Sequence, residues 1–178
     1  GTVTIQAGAT LDVGPGGNDS TRGYFLNAIV MSGTAASPAY LIGSSTSGGG
    51  AHGPITLSSV GSANDMANVI AAVPLGTSST LVIGGVISDA AGGSASGLQY
   101  GTSALNGVVY VSGASSYSGL TNIAYGTLKV GGTGSGSNSP LGTVANGTVV
   151  QNGASLDLFG ATLVTAEPLT ISGTGVGD

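Results

Sequence analysis

Few side chains in this 178-residue chain can do chemistry. The carboxylates are Asp12, Asp19, Asp65, Asp89, Asp157, Glu167 and Asp178, the cations are Arg22 and Lys129, the single histidine is His52, and there is no cysteine. A glycosidase needs two carboxylates a few ångströms apart, one to protonate the leaving oxygen and one to attack or to activate water. Here the acids are scattered singly. Arg22 with Asp19 and Asp12 is the one local arrangement of a base beside acids that a lyase would need, and it reads better as a surface ion pair. His52 lies in Gly50-Ala51-His52-Gly53-Pro54, read as a flexible loop, with no second ligand nearby to share a metal. No Gly-x-Ser-x-Gly elbow presents a serine. The run Gly131-Gly132-Thr133-Gly134 lacks the lysine of a phosphate loop. Asn18-Asp19 stands outside any repeating calcium-roll pattern. The sequence therefore predicts no catalytic residue, no cofactor and no metal. Recognition is the chemistry left open, because the rings of Tyr24, Tyr40, Tyr100, Tyr110, Tyr117 and Tyr125 could stack on sugar faces.

Composition narrows the partners. Only 5% of residues are charged and the net charge is −5, which removes the basic footprint that nucleic acid or an anionic membrane requires. Without cysteine there is neither a disulfide framework nor a thiolate metal site. No run reaches the roughly 18 apolar residues of a membrane span. Hydrophobic residues still make up 40%, enough to bury a core despite 35 glycines. The start, Gly1-Thr2-Val3-Thr4-Ile5, has no Met and no basic region, as expected of a processed chain or an excised part of a longer one. Abundant Ser, Thr, Gly and Asn suit an exported bacterial protein, extracellular or on the cell surface.

The elements that must position these residues are short strands. Apolar and polar residues alternate over three to five positions between Gly and Ser turns, a strand signal. Thr4–Val13 and Val149–Leu158 align without a gap at an offset of 145 residues, sharing Gln, Gly, Ala, Leu and Asp. A looser relative is Ile123–Val130. The unit apolar-x-apolar-Ser/Gly-Gly recurs with its third position at Met31, Leu57, Ile83 and Val111, at steps of 26, 26 and 28 residues. Such steps predict one coil of a β-solenoid each, because strands this short bury a face only by stacking on copies of themselves. Ile5, Leu11, Val13, Ile29, Met31, Ile55, Leu57, Leu81, Ile83, Val109, Val111, Ile123, Leu128, Val130, Leu156, Leu158, Leu169 and Ile171 are expected to point inward. Gly43–Gly53 and Gly131–Ser139 are expected to be exposed, mobile loops. Ser62-Ala63-Asn64-Asp65 has the form of a capping box, followed by Met66, Val69, Ile70 and Val73 before Pro74, which predicts a short amphipathic helix over 63–72.

Around Tyr117 the sequence resembles the autotransporter-associated β-strand repeat family, also called the passenger-associated transport repeat. The family pattern, close to G-x-N-T-Y-T/S-G-x-T-x-I-x-x-G-T-L-x-V, is matched at Gly113, Tyr117, Ser118, Gly119, Thr121, Ile123, Gly126, Thr127, Leu128 and Val130, with Ser115-Ser116 in place of Asn-Thr. Gly84-Gly85-Val86-Ile87-Ser88 matches a flanking signature. The resemblance implies a right-handed parallel β-helix in a bacterial surface or secreted protein, often a type V secretion passenger, with no catalytic residues to carry over. The reading for 1–178 is thus a single all-β solenoid segment of a longer repeat array, a non-enzymatic stalk, passenger or filament-forming module. Its expected partners are neighbouring copies or repeat segments stacked end to end. An adhesin that binds glycan or a host surface through loops and aromatic rings is the alternative, and a polysaccharide-degrading enzyme a weaker third.

Overall fold

The computed structural model describes residues 1–14, 24–44, 49–59, 61–74 and 80–173. All regular structure among them is β, in strands no longer than five residues. Three parallel sheets form three walls. The first wall holds Thr2–Gln6, Ala28–Ser32, Ile55–Leu57 and Ile87–Asp89. The second holds seven strands, Thr10–Asp12, Ala39–Gly43, Asn68–Ala72, Leu98–Tyr100, Thr121–Ile123, Thr148–Val150 and Leu169–Ile171. The third holds Tyr24–Phe25, Gly49–Ala51, Thr80–Ile83, Val108–Val111, Gly126–Val130 and Ala154–Asp157. The chain visits the walls in turn, so successive strands on one wall lie a coil apart: the molecule is a β-solenoid.

Alternation sends every second side chain inward, and the pairing register stacks those side chains in columns. On the second wall one column runs Leu11, Leu41, Ile70, Tyr100, Ile123, Val150, Ile171. On the third, Leu81, Val109, Leu128 and Leu156 stack beside Ala51, Ile83, Val111 and Val130. Most of these residues are buried, and together they make one continuous core.

Two register findings revise the spacing reading. Met31 lies over Leu57 on the first wall and Ile83 over Val111 on the third. The step from Leu57 to Ile83 therefore crosses from one wall to another. Thr4–Val13 turns from the first wall to the second, whereas its copy Val149–Leu158 turns from the second to the third. Local geometry is nevertheless the same: Ala9 N–H donates to Gln6 O and Ala154 N–H to Gln151 O, both at 3.0 Å, around Gly8 and Gly153 with φ of +74° and +80°.

The helix expected over 63–72 is absent, and Asn68–Ala72 is instead a central strand of the second wall, between Ala39–Gly43 and Leu98–Tyr100. The capping-box residues form a turn, in which Asp65 N–H donates to Ser62 O at 3.0 Å and Ser62 N–H to Asp65 Oδ2 at 2.8 Å. All five strand residues are buried, so an apolar run filling both faces of the strand mimicked helical spacing. Gly43–Gly53 is also corrected, since Gly49–Ala51 is a buried strand of the third wall. Likewise, Gly131–Ser139 runs into a small antiparallel hairpin, Asn138–Ser139 with Gly142–Thr143, whose Ser139 is buried.

Coils turn tightly from the third wall to the first at stacked glycines. A Cβ on Gly53 would come within 2.1 Å of Asn27 O, one on Gly85 within 1.9 Å of Gly53 O, and one on Gly113 within 2.6 Å of Gly85 O. Backbone rests on backbone along this corner, and only glycine leaves the room.

Candidate functional site

The stretch from Gly113 to Val130 holds the most specific sequence motif. Above Ile87–Asp89 the first wall has no further regular strand among the described residues. Ile87 O accepts from Ser116 N–H at 2.8 Å, and Ile87 N–H donates to Ser115 Oγ at 3.1 Å. Tyr117 then turns fully into the interior, where it cannot meet a sugar face. Thr121 Oγ1 donates to Leu141 O at 2.7 Å, so the contact of 2.5 Å between Tyr117 OH and Thr121 Oγ1 has the phenol as donor. The buried Tyr100 hydroxyl approaches that of Tyr117 without making a hydrogen bond of acceptable geometry. Burial pushes both phenols above their usual range, so both keep their protons. Gly119 lies so close to Ser96 O that a Cβ would come within 2.1 Å. Gly126 takes φ +72° at the corner before the third wall, and Leu128 and Val130 point inward.

Each described carboxylate is bound by its own surroundings. Asp12 accepts from the Ser44 hydroxyl and from the N–H groups of Gly14 at 2.8 Å and Ser44 at 3.1 Å. Burial pushes its pKa up, but these donors outweigh burial and hold it below the usual value. Asp157 accepts from Phe159 N–H at 2.8 Å, as Asp12 does from Gly14, and lies 3.8 Å from Lys129 Nζ. Asp89 ties two segments, accepting from Ser118 N–H at 2.8 Å, Ser118 Oγ at 2.7 Å and Ser96 N–H at 3.2 Å. Glu167 accepts from Thr148 Oγ1 at 2.7 Å, and burial pushes its pKa up against that bond. Asp65 closes the turn at Ser62. Asn18, Asp19, Arg22 and Asp178 lie outside the described residues. Among the described residues no group of three His, Asp or Glu converges as a metal site would require. His52 does not sit in a loose loop. It follows a wall strand, with its N–H donating to Phe25 O at 2.9 Å and its ring edge-on to Tyr24, centroids 4.4 Å apart.

The tyrosines do not form one stripe. Tyr100 and Tyr117 are interior, Tyr40 is on the second wall, Tyr24 and Tyr110 are on the third, and Tyr125 stands exposed at the corner between those two. Tyr110 lies against Gly131 and meets Phe159 edge-on at 6.3 Å, and Lys129 sits 5.1 Å from the Phe159 ring centre. Shallow depressions among the described residues include the following two. One, of about 300 Å³, is lined by Leu57, Ser58, Ser59, Ala90, Gly92, Gly93 and Ser94. The other, of about 370 Å³, is lined by Asn122, Ala124, Tyr125, Gln151 and Asn152.

The last coil carries the inward positions expected at Leu169 and Ile171 but leaves them exposed. Leu169 and Ile171 continue the inward columns above Thr148 and Val150, yet they are 40% and 70% exposed, whereas Thr148 and Val150 are buried. Leu158 and Phe159, which follow the third-wall strand Ala154–Asp157, are exposed as well. At the opposite end the edges of Thr2–Gln6 and Thr10–Asp12 carry no further strand among the described residues. Compared with protein-family models, curated proteins and solved structures, the chain matches none of them.

Proposed function

We propose that this chain is a non-enzymatic structural module of a bacterial cell-surface or secreted protein, a solenoid segment that stacks end to end on further coils of its own kind. The observation that carries this reading is the last strand of the second wall, whose inward-facing Leu169 and Ile171 lie exposed where every earlier strand of that wall is covered by the next. A sheet edge with unpaired backbone groups and an apolar column recruits another strand. The first coil offers a matching surface, with Val3, Leu11 and Phe25 half-buried on the three walls at the other end. Joining such unlike ends is a heterologous contact, which propagates as a filament or stalk when it does not close. The low charge puts little repulsion between copies. The engagement of every described carboxylate in local structural bonds supports a scaffold over a hydrolase. The resemblance around Tyr117 to autotransporter passenger repeats supports the surface location.

Electron microscopy across a concentration series tests the stacking. Rods with an axial repeat of one chain are expected, and Ile171→Asp should abolish them while leaving the preceding coils folded. A chain that stays monomeric at high concentration, with the amides of Leu169–Ile171 protected from exchange, would refute it.

A further inference from the structure

We infer that the depression at Asn122, Tyr125, Gln151 and Asn152 is a binding subsite for a short neutral saccharide. It lies on the outer surface of the solenoid, where the second wall turns into the third.

Its chemistry is one exposed aromatic ring beside three carboxamides. Tyr125 is 45% exposed and borders a hollow of about 370 Å³. That is near the lower end of the roughly 300–1,000 Å³ range of ligand sites, and fits a few sugar rings better than a large ligand. The C–H face of a pyranose packs on the electron-rich face of an aromatic ring. Its hydroxyls, each a donor and an acceptor, pair with amides that offer both.

Two of the amides are already bonded to each other without a ligand. Gln151 Nε2 donates to Asn122 Oδ1 at 3.0 Å, which leaves the Asn122 NH2 and the Gln151 carbonyl for a ligand. Asn152 is packed against Gly173, where a Cβ would come within 2.3 Å of its Oδ1. One coil below, Gln99 stands in register with Asn122 and donates to Gly101 O at 2.9 Å, extending the amide row along the wall. Such pre-organisation lowers the ordering cost of binding.

Competing ligand classes fit less well. The lining has no Lys, Arg, His, Asp or Glu, so nothing selects phosphate, sulfate or carboxylate. A peptide adding itself as a strand needs a free edge, whereas Thr121–Ile123 is paired on both sides, with Leu98–Tyr100 and Thr148–Val150.

Titration of the intact, isotope-labelled chain by NMR tests the proposal. The probes are the tetrasaccharides of β-1,4-glucose, α-1,4-glucose, β-1,4-xylose and β-1,4-N-acetylglucosamine, with a sulfated heparin tetrasaccharide as the charged comparator. At least one neutral probe should shift the Tyr125 backbone amide and the side-chain amides of Asn122 and Gln151. Tyr125→Ala should weaken that binding about tenfold or more, the scale of one lost ring contact, without changing the melting temperature. Tyr24→Ala, at an exposed ring elsewhere, should leave it unchanged. Absence of such shifts with every neutral probe at millimolar concentration, preference for the sulfated probe, or undiminished binding by Tyr125→Ala would each overturn it.

Discussion

Replacing Gly85 by alanine tests the stacked-glycine corner directly. Its φ does not lie in the left-handed region, so strain in its own backbone is not the issue. The obstacle is Gly53 O, 1.9 Å from where the new Cβ would sit, with Gly53 C at 2.7 Å. Neither is the end of a flexible side chain. Reaching even a tight contact of about 3 Å means opening the coil spacing locally by on the order of 1 Å. The hydrogen bonds flanking the corner, Gly84 N–H to Ala51 O at 3.0 Å and Ile55 N–H to Val86 O at 2.9 Å, would then be stretched beyond useful length. Two bonds lost at about 1 kcal/mol each, with a buried group left unpaired at a further 1–3 kcal/mol, give about 3–5 kcal/mol. For a chain of this size that lowers the melting temperature by on the order of 10 °C. Gly153→Ala is the control: φ is +80° and nothing lies within 4 Å of its would-be Cβ, so only backbone strain of about 1–2 kcal/mol applies. Urea and thermal unfolding followed by circular dichroism measure both. If Gly85→Ala cost no more than Gly153→Ala, backbone contact along this corner would not be what excludes side chains there.

The interior phenols should separate. Tyr117→Phe removes the donor to Thr121 and is expected to cost about 1–3 kcal/mol, whereas Tyr100→Phe removes a buried hydroxyl without a partner and should be neutral or stabilising in urea unfolding. Two carboxylates should leave opposite marks on stability against pH. The folded pKa of Glu167 is raised above 4.5 by burial, so its contribution is fully present below that value and is lost as pH rises through the folded pKa. Glu167→Gln should therefore flatten the decline above about pH 4.5. Asp12 is held below 3.8, so its contribution is present above that value and lost as pH falls through the folded pKa, and Asp12→Asn should flatten the acid limb. Thermal melts from acid to neutral pH read both, and slopes of the opposite sign would refute the placement of these two groups.

The solenoid was legible because alternation at Ile29–Met31, Leu81–Ile83 and Val109–Val111 has one meaning in a short strand: inward, outward, inward. Which wall each strand joins was not legible. Spacing counts residues, whereas the wall is set by how many corners the chain turns between strands, and excursions such as 90–97 and 131–147 add residues without adding wall. The misread helix has a related cause. Amphipathic spacing diagnoses a helix only when one face meets water, and the strand from Asn68 to Ala72 has no such face. The depression proposed as a saccharide subsite was legible only as composition. Tyr125 could be singled out from six tyrosines only after the register had set Gln99 beside Asn122, and Gln151 close enough to Asn122 to bond it.

The recurrence of Gln-x-Gly-Ala-x-Leu-Asp at two different corners shows how such a chain tolerates uneven coils. In each copy the Gln carbonyl closes the turn on the Ala N–H, and a glycine at positive φ makes the bend. The Leu enters the core region, and the Asp carboxylate takes the N–H two residues on, Gly14 in one copy and Phe159 in the other. These shared bonds are local in sequence and recur at both corners, whichever walls they join, while the first copy adds bonds of its own to the next coil, from Ser44 to Asp12 and from Gly8 N–H to Pro38 O. Between coils, by contrast, the requirements are backbone pairing, glycine where backbones touch, and an apolar residue facing the core. A corner specified locally, combined with generic stacking between coils, lets strands be added without redesigning those already present.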